Sequence, residues 1–157
     1  MVEPPFDLPR AHRWFAIELN NLAWGLVESE SRSPADVERM IHAAHGACFH
    51  WLEVGTPLNH LRAQCLLATA YAKAELAEAA VRHAERCLEL SREVGDAQTA
   101  FDRATAHGCA SVAYGLAGRL GEARKQHELA RSSASGLEDP ADRDIVDRLY
   151  PTPTASA

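Results

Sequence analysis

No stretch of the chain approaches the ~18 consecutive apolar residues that a membrane-crossing helix needs, so no segment is expected to span a bilayer. Positive charge is also short: 16 Lys and Arg stand against 22 Asp and Glu, for a net charge of -6. Without a basic stripe such a surface repels a phosphate backbone, which excludes nucleic acid as a partner and favours basic peptides. The four cysteines, Cys48, Cys65, Cys87 and Cys109, show no CxxC spacing. They read as buried, reduced thiols of a cytoplasmic protein. The start, MVEPPFDLPR, carries two acids and three prolines, which is not the basic-then-apolar profile of a secretion signal. No glycine-flanked serine elbow or phosphate-cradling glycine loop occurs, and Ser29, Ser31 and Ser33 sit in a turn. A catalytic role is therefore not expected. β-branched residues are sparse, which argues against a sheet.

What the chain does have is helix. At 157 residues, 46% hydrophobic and 24% charged, it suits one domain rich in the strong helix formers Ala, Leu, Glu and Arg. Starts are marked by Ser33-Pro34, Thr56-Pro57 and Asp139-Pro140, each a capping oxygen before a proline that fits the first turn. Ser33 with Asp36 approximates a capping box. Gly55, Gly95 and Gly136 mark ends, as residues that take the left-handed conformation cheaply, and Asp96 is expected to cap the helix after Gly95. The resulting helices cover about 9–29, 34–54, 57–74, 77–94, 97–117, 121–134 and 140–149. In the last, Ile145, Val146 and Leu149 face inward.

Three alanine-aromatic pairs recur in similar surroundings: Ala23-Trp24, Ala70-Tyr71 and Ala113-Tyr114. Glu53-Val54-Gly55 is echoed by Glu93-Val94-Gly95. Self-similarity at 40 to 47 residues signals stacked helical hairpins, none able to bury its apolar face alone. The third hairpin, with Ala113, Tyr114, Gly118, Leu120, Ala123 and Ala130, resembles a tetratricopeptide repeat (TPR). The second is similar through Leu67, Ala68, Tyr71, Ala80, Ala84 and Cys87, and the first through Ala23, Trp24, Ala44 and Ala47. The spacing exceeds the family's usual 34 residues, so the helices are longer. Arg39 to Pro57 is also similar to a stretch in bacterial TPR-like proteins with no assigned activity. Glu75 stands where the turn glycine would be, which leaves open whether residues 73–80 bend sharply or run on as one helix.

The resemblance implies an all-α, right-handed stack of three hairpins (9–54, 57–94 and 97–135) with a capping helix at 140–149. An N-terminal segment, 1–8, precedes it and a disordered tail, 151–157, follows. It also implies a concave groove lined by Phe15, Glu18, Leu22 and Gly25, then Arg62, Cys65, Thr69 and Ala72, then Thr105, Gly108, Val112 and Gly115. The expected function is non-catalytic docking of a partner protein's peptide or helix. Phe15 and Leu22 would serve as apolar anchors, Glu18 and Arg62 as orienting charges, and Thr69 and Val112 as further contacts.

Two other readings come from the residues themselves. Glu38, His42, His45 and Phe49 share a narrow arc of one helix, so Glu38, His42 and His45 could ligate Zn²⁺ or a similar divalent ion, with His60 or His83 as a further ligand. Against that stands a solvated polar face, since the arc lies opposite the apolar stripe of Met40, Ala44 and Trp51. Phe49 in this arc could instead hold two copies together as a homodimer. Finally, Asn20, Asn21, Gln64, His107 and Ser111 fall at packing positions, where buried polar groups either tie helices together or line a pocket.

Overall fold

The capping residues govern where each helix begins. In the structure, a computed structural model that describes residues 6 to 154, α1 spans Leu8–Glu28 behind Asp7, and α2 spans Pro34–Val54 behind the Ser33–Asp36 capping box. Next, α3 spans Pro57–Lys73 behind a second box, Thr56 with Asn59. Helix α4 runs Ala77–Val94, α5 Ala100–Leu116, α6 Leu120–Ala134 and α7 Pro140–Leu149. The fold is all-α, with no strand among the described residues.

One start departs from expectation. Asp96 lies in a single 3-10 turn, Gly95–Ala97, and α5 begins instead behind a third capping box, Thr99 with Asp102. Gln98 enforces this by folding its amide back on the Ser91 and Gly95 carbonyls at 2.7 and 3.1 Å. The glycine ends also differ. Gly55 is extended at φ -85, and the left-handed positions among the described residues are Glu75, Gly95 and Gly118.

Residues 73–80 do not run on as one rod. The Glu75 N–H donates to the Ala72 carbonyl and the Leu76 N–H to the Tyr71 carbonyl. Forty-three residues later, the Gly118 N–H donates to Gly115 and the Arg119 N–H to Tyr114. Both are Schellman turns. Glu75 holds φ +59 where Gly118 holds φ +74, so the same turn forms without glycine at a cost of about 1–2 kcal/mol.

Helices pack most heavily in the pairs α1–α2, α3–α4 and α5–α6, and α3 also packs against α1 and α5. Small residues make the close approaches: Ala16, Ala23, Ala44, Ala47, Ala68, Ala84 and Ala110 are fully buried beside Met40, Leu61, Leu66 and Leu67. The polar packing residues bind hairpins from within. Gln64 of α3 accepts from His83 of α4 at 2.8 Å, and His107 of α5 donates to Gln126 of α6 at 2.7 Å. This is one hydrogen bond repeated 43 residues on with its two residue types exchanged. Ser111 donates to the Ala123 carbonyl at 2.9 Å. These three thus tie helices together.

Candidate binding pocket on the face of α1, α3 and α5

Helix α7 returns across the face made by α1, α3 and α5. Val146 and Leu149 are buried, as their inward spacing predicted, and Tyr150 at its end is 2% exposed. The Tyr150 hydroxyl lies 3.3 Å from Thr69 Oγ1 and 3.6 Å from Cys65 Sγ. Its ring fits because α5 carries glycine there: a Cβ on Gly108 would meet the ring at 2.5 Å. Arg148 pairs with Glu28 at 3.0 Å, and Arg131 of α6 pairs with Asp147. Beyond α7 the chain stays close, with Thr152 3.3 Å from the His127 imidazole. Residues 1–5 and 155–157, parts of the expected N-terminal segment and tail, lie outside the described residues.

Beside the α7 crossing a pocket of about 320 Å³ remains, lined by Asn20, Trp24 and Glu28 of α1, Arg62 and Cys65 of α3, Phe101, Asp102 and Thr105 of α5, and Ile145, Leu149 and Tyr150. Five of these residues, Trp24, Phe101, Ile145, Leu149 and Tyr150, are aromatic or aliphatic. At its edge Arg62 Nε and Nη2 donate to the two oxygens of Asp102 at 2.7 and 3.1 Å. Asp102 also accepts from the Thr99 N–H and hydroxyl, so one carboxylate caps α5 and ties α3 to it. Burial works to raise the Asp102 pKa, but the Arg62 and Thr99 donors outweigh it and hold the carboxyl below the ordinary carboxylate value.

The expected binding residues divide on this geometry. Arg62 lines the pocket, already paired. Thr69 is buried beneath Tyr150, with its hydroxyl donated to the Cys65 carbonyl at 2.8 Å, so the chain's own α7 takes this contact. Val112 is half-buried against the core. Phe15, Glu18 and Leu22 do not line the pocket. Helix α1 buries Ala16, Ala23 and Val27, and this rotation turns Asn20, Trp24 and Glu28 toward α3 and α5. Leu22 instead packs on the core edge. Phe15 stacks on His50 at 5.3 Å in an exposed aromatic cluster with His12, Trp14 and Phe49. Asn20 thus lines the pocket, while Asn21 is exposed.

The histidine arc is drawn apart by its partners. Glu38 and His42 are exposed, and His45 Nε2 shares a 2.7 Å hydrogen bond with the Tyr71 hydroxyl. His83 does approach, its ring 5.7 Å from His45 and stacked on Tyr71 at 5.4 Å. Even so, Glu38, His42 and His45 bring no set of ligand atoms together. Burial, with His45 and Arg82 nearby, pushes the His83 pKa down to about 4. A depressed histidine contributes stability that is complete above its unfolded pKa of about 6.5 and lost as pH falls toward the folded value. The melting temperature should therefore drop between about pH 6.5 and 4. His83→Gln removes the titrating imidazole and should flatten that drop in thermal melts. An unchanged slope would place the acid sensitivity elsewhere.

The structure also gathers residues that sequence reasoning kept apart. Cys65 of α3, Cys87 of α4 and Cys109 of α5 are buried, with their sulfurs all within 4.8 Å of one another. Among the described residues they form the one cluster of three such ligand atoms. The signal was present, because Cys65, Cys87 and Cys109 are separated by equal intervals of 22 residues, close to one helix-and-turn each. The thiols titrate as a unit: Cys109 and Cys87 favour the Cys65 thiolate, and proximity to Cys65 and Cys87, with burial, pushes the Cys109 thiol up. Cys48 stands outside the cluster.

No known protein family, no curated protein and no solved structure matches the chain. Its class is set by its own geometry, all-α with seven α-helices among the described residues. No helix among the described residues is long and apolar enough to cross a membrane.

Proposed function

We propose that the chain is a non-catalytic docking module of the TPR-like kind, its hairpins stacked so that the face of α1, α3 and α5 is concave. A partner peptide or helix would place one apolar side chain in the pocket between Trp24 and Phe101. The pocket carries this reading: it is largely apolar, it lies where hairpin stacks receive ligands, and its charged rim is internally paired. A paired rim leaves apolar burial as the main attraction. One fully buried large side chain contributes about 1.5–3 kcal/mol, a modest anchor that suits a regulated contact. The net charge of -6 favours a basic flank on that partner. The earlier anchors, Phe15, Glu18 and Leu22, are replaced in this reading by Asn20, Trp24 and Glu28.

The test fills the pocket without removing any core contact. Asn20→Trp should lower recovery of the natural partner by about tenfold or more, equivalent to ~1.4 kcal/mol, while the melting temperature holds. Equal recovery by both proteins would reject the pocket as the docking site. A homodimer through the His12, Trp14, Phe15, Phe49 and His50 cluster is the second reading, favoured by its exposure, with Trp14 58% and Phe49 56% exposed. Light scattering that gives Phe49→Glu and the parent the same mass would dismiss it.

A further inference from the structure

We propose that Cys65, Cys87 and Cys109 form a three-sulfur site that takes one trivalent, thiophilic ion of the arsenite type. The sulfurs come from three successive helices and lie within 4.8 Å of one another. Their partners are neutral: Cys65 meets the Thr105 carbonyl at 3.5 Å and the Tyr150 hydroxyl at 3.6 Å, Cys87 the Leu61 carbonyl at 3.7 Å and Cys109 the Ala106 carbonyl at 3.2 Å. None is committed to a strong partner. Bonds of about 2.3 Å at the angles of roughly 95–100° that a pyramidal three-coordinate ion takes set the sulfurs about 3.4–3.5 Å apart, so sulfur movements of up to about 1.5 Å would close the site.

Charge and coordination number select the ion. No fourth His, Cys, Asp or Glu ligand joins the three sulfurs among the described residues, whereas zinc in closed structural sites takes four. Three thiolates around Zn²⁺ leave one negative charge, and around Cu⁺ two, in a core whose polar groups touching the sulfurs are the Thr105, Leu61 and Ala106 carbonyls and the Tyr150 hydroxyl, all uncharged. Burying such unpaired charge is expensive. A trivalent ion leaves none. The reaction balances without an oxidant: arsenous acid, As(OH)₃, and three thiols give As(SR)₃ and three waters. Three As–O bonds are replaced by three As–S bonds, and each thiol proton leaves on a hydroxide. Both the acid and the product are neutral. Cys65 and Tyr150 line the pocket, which gives the uncharged acid a route to the sulfurs.

The reduced full-length chain is titrated anaerobically with arsenite and, separately, with Zn²⁺; bound ion is measured after desalting and free thiols are counted by alkylation and mass spectrometry. One arsenic per chain is expected, with the thiols that alkylate once the desalted protein is unfolded falling from four to one. Cys48→Ala should bind equally, and Cys65→Ala, Cys87→Ala and Cys109→Ala should lose the ion at unchanged helicity. The thiol count on the parent chain stands independently of how those variants fold. Failure to retain arsenic, protection of fewer than three thiols, or stoichiometric retention of zinc in place of arsenic would each overturn the assignment.

Discussion

Tyr150→Ala is expected to destabilise the fold by about 3–5 kcal/mol, the cost of deleting a large buried aromatic side chain. The ring fills the slot opposite Gly108 and is 2% exposed, so its loss opens a cavity and releases the end of α7. The effect should be separable into two parts. Tyr150→Phe removes only the hydroxyl that meets Thr69 and Cys65 and should cost about 1 kcal/mol. Denaturant unfolding measures both, and the rate at which a thiol reagent reaches Cys65 should rise sharply in the alanine variant alone. A loss under about 1 kcal/mol for Tyr150→Ala, with the thiols still protected, would show that α7 does not hold this face closed.

The second large effect concerns the Arg62–Asp102 pair, in which the two partners are unequal. The Arg62 side chain is 50% exposed and that of Asp102 is 3% exposed. Arg62→Met strands a carboxylate in a poorly hydrated place, whereas Asp102→Asn releases an arginine that water can take up. The arginine variant should therefore lose more, about 3 kcal/mol, because the neighbouring pocket admits some water. The asparagine variant should lose about 1–2 kcal/mol, since Asn59 at the matching place in α3 already serves its own cap. Acid distinguishes them further. In the parent, the depressed Asp102 contributes stability present above its unfolded pKa, about 3.9, and lost as pH falls through the lower folded value. In Arg62→Met the penalty shrinks on acidification, because protonation neutralises the stranded group. Stability curves at pH 7, where the variants are ranked, and from pH 4 down to about 2, where Asp102 titrates, check both statements, and a larger loss from Asp102→Asn at pH 7 would reverse the argument.

Helix bounds were legible because caps act locally. Ser33, Thr56 and Asp139 accept from backbone N–H groups two or three residues on, and no distant contact is needed to read them. The sharp turn at Glu75 was not legible, since left-handed backbone at a non-glycine residue is imposed by the packing of α3 on α4. The pocket was legible in part. The TPR resemblance placed Arg62, Cys65, Thr105 and Gly108 on the inner faces of α3 and α5, while it put Glu18 and Leu22 of α1 two positions away from the Asn20 and Trp24 that line the pocket, because the face of α1 is set by packing against α2. Nothing in a ten-residue amphipathic helix states which surface receives it. Gly108 was the available hint, an inward glycine in mid-helix that leaves room for a ring. The cysteine cluster required superposing three helices, which only the equal 22-residue intervals foreshadowed.

Tyr150 meets Cys65 from 85 residues away along the chain. On a ribosome adding about 5–20 residues per second, roughly 4 to 17 s separate the synthesis of Cys65 from that of Tyr150. The first two hairpins can pack in that interval, but the aromatic stopper has not yet been made. A nascent polypeptide therefore passes through a stage in which its sulfurs face the surrounding medium, and electrophiles present during translation meet a more reactive molecule than the finished one.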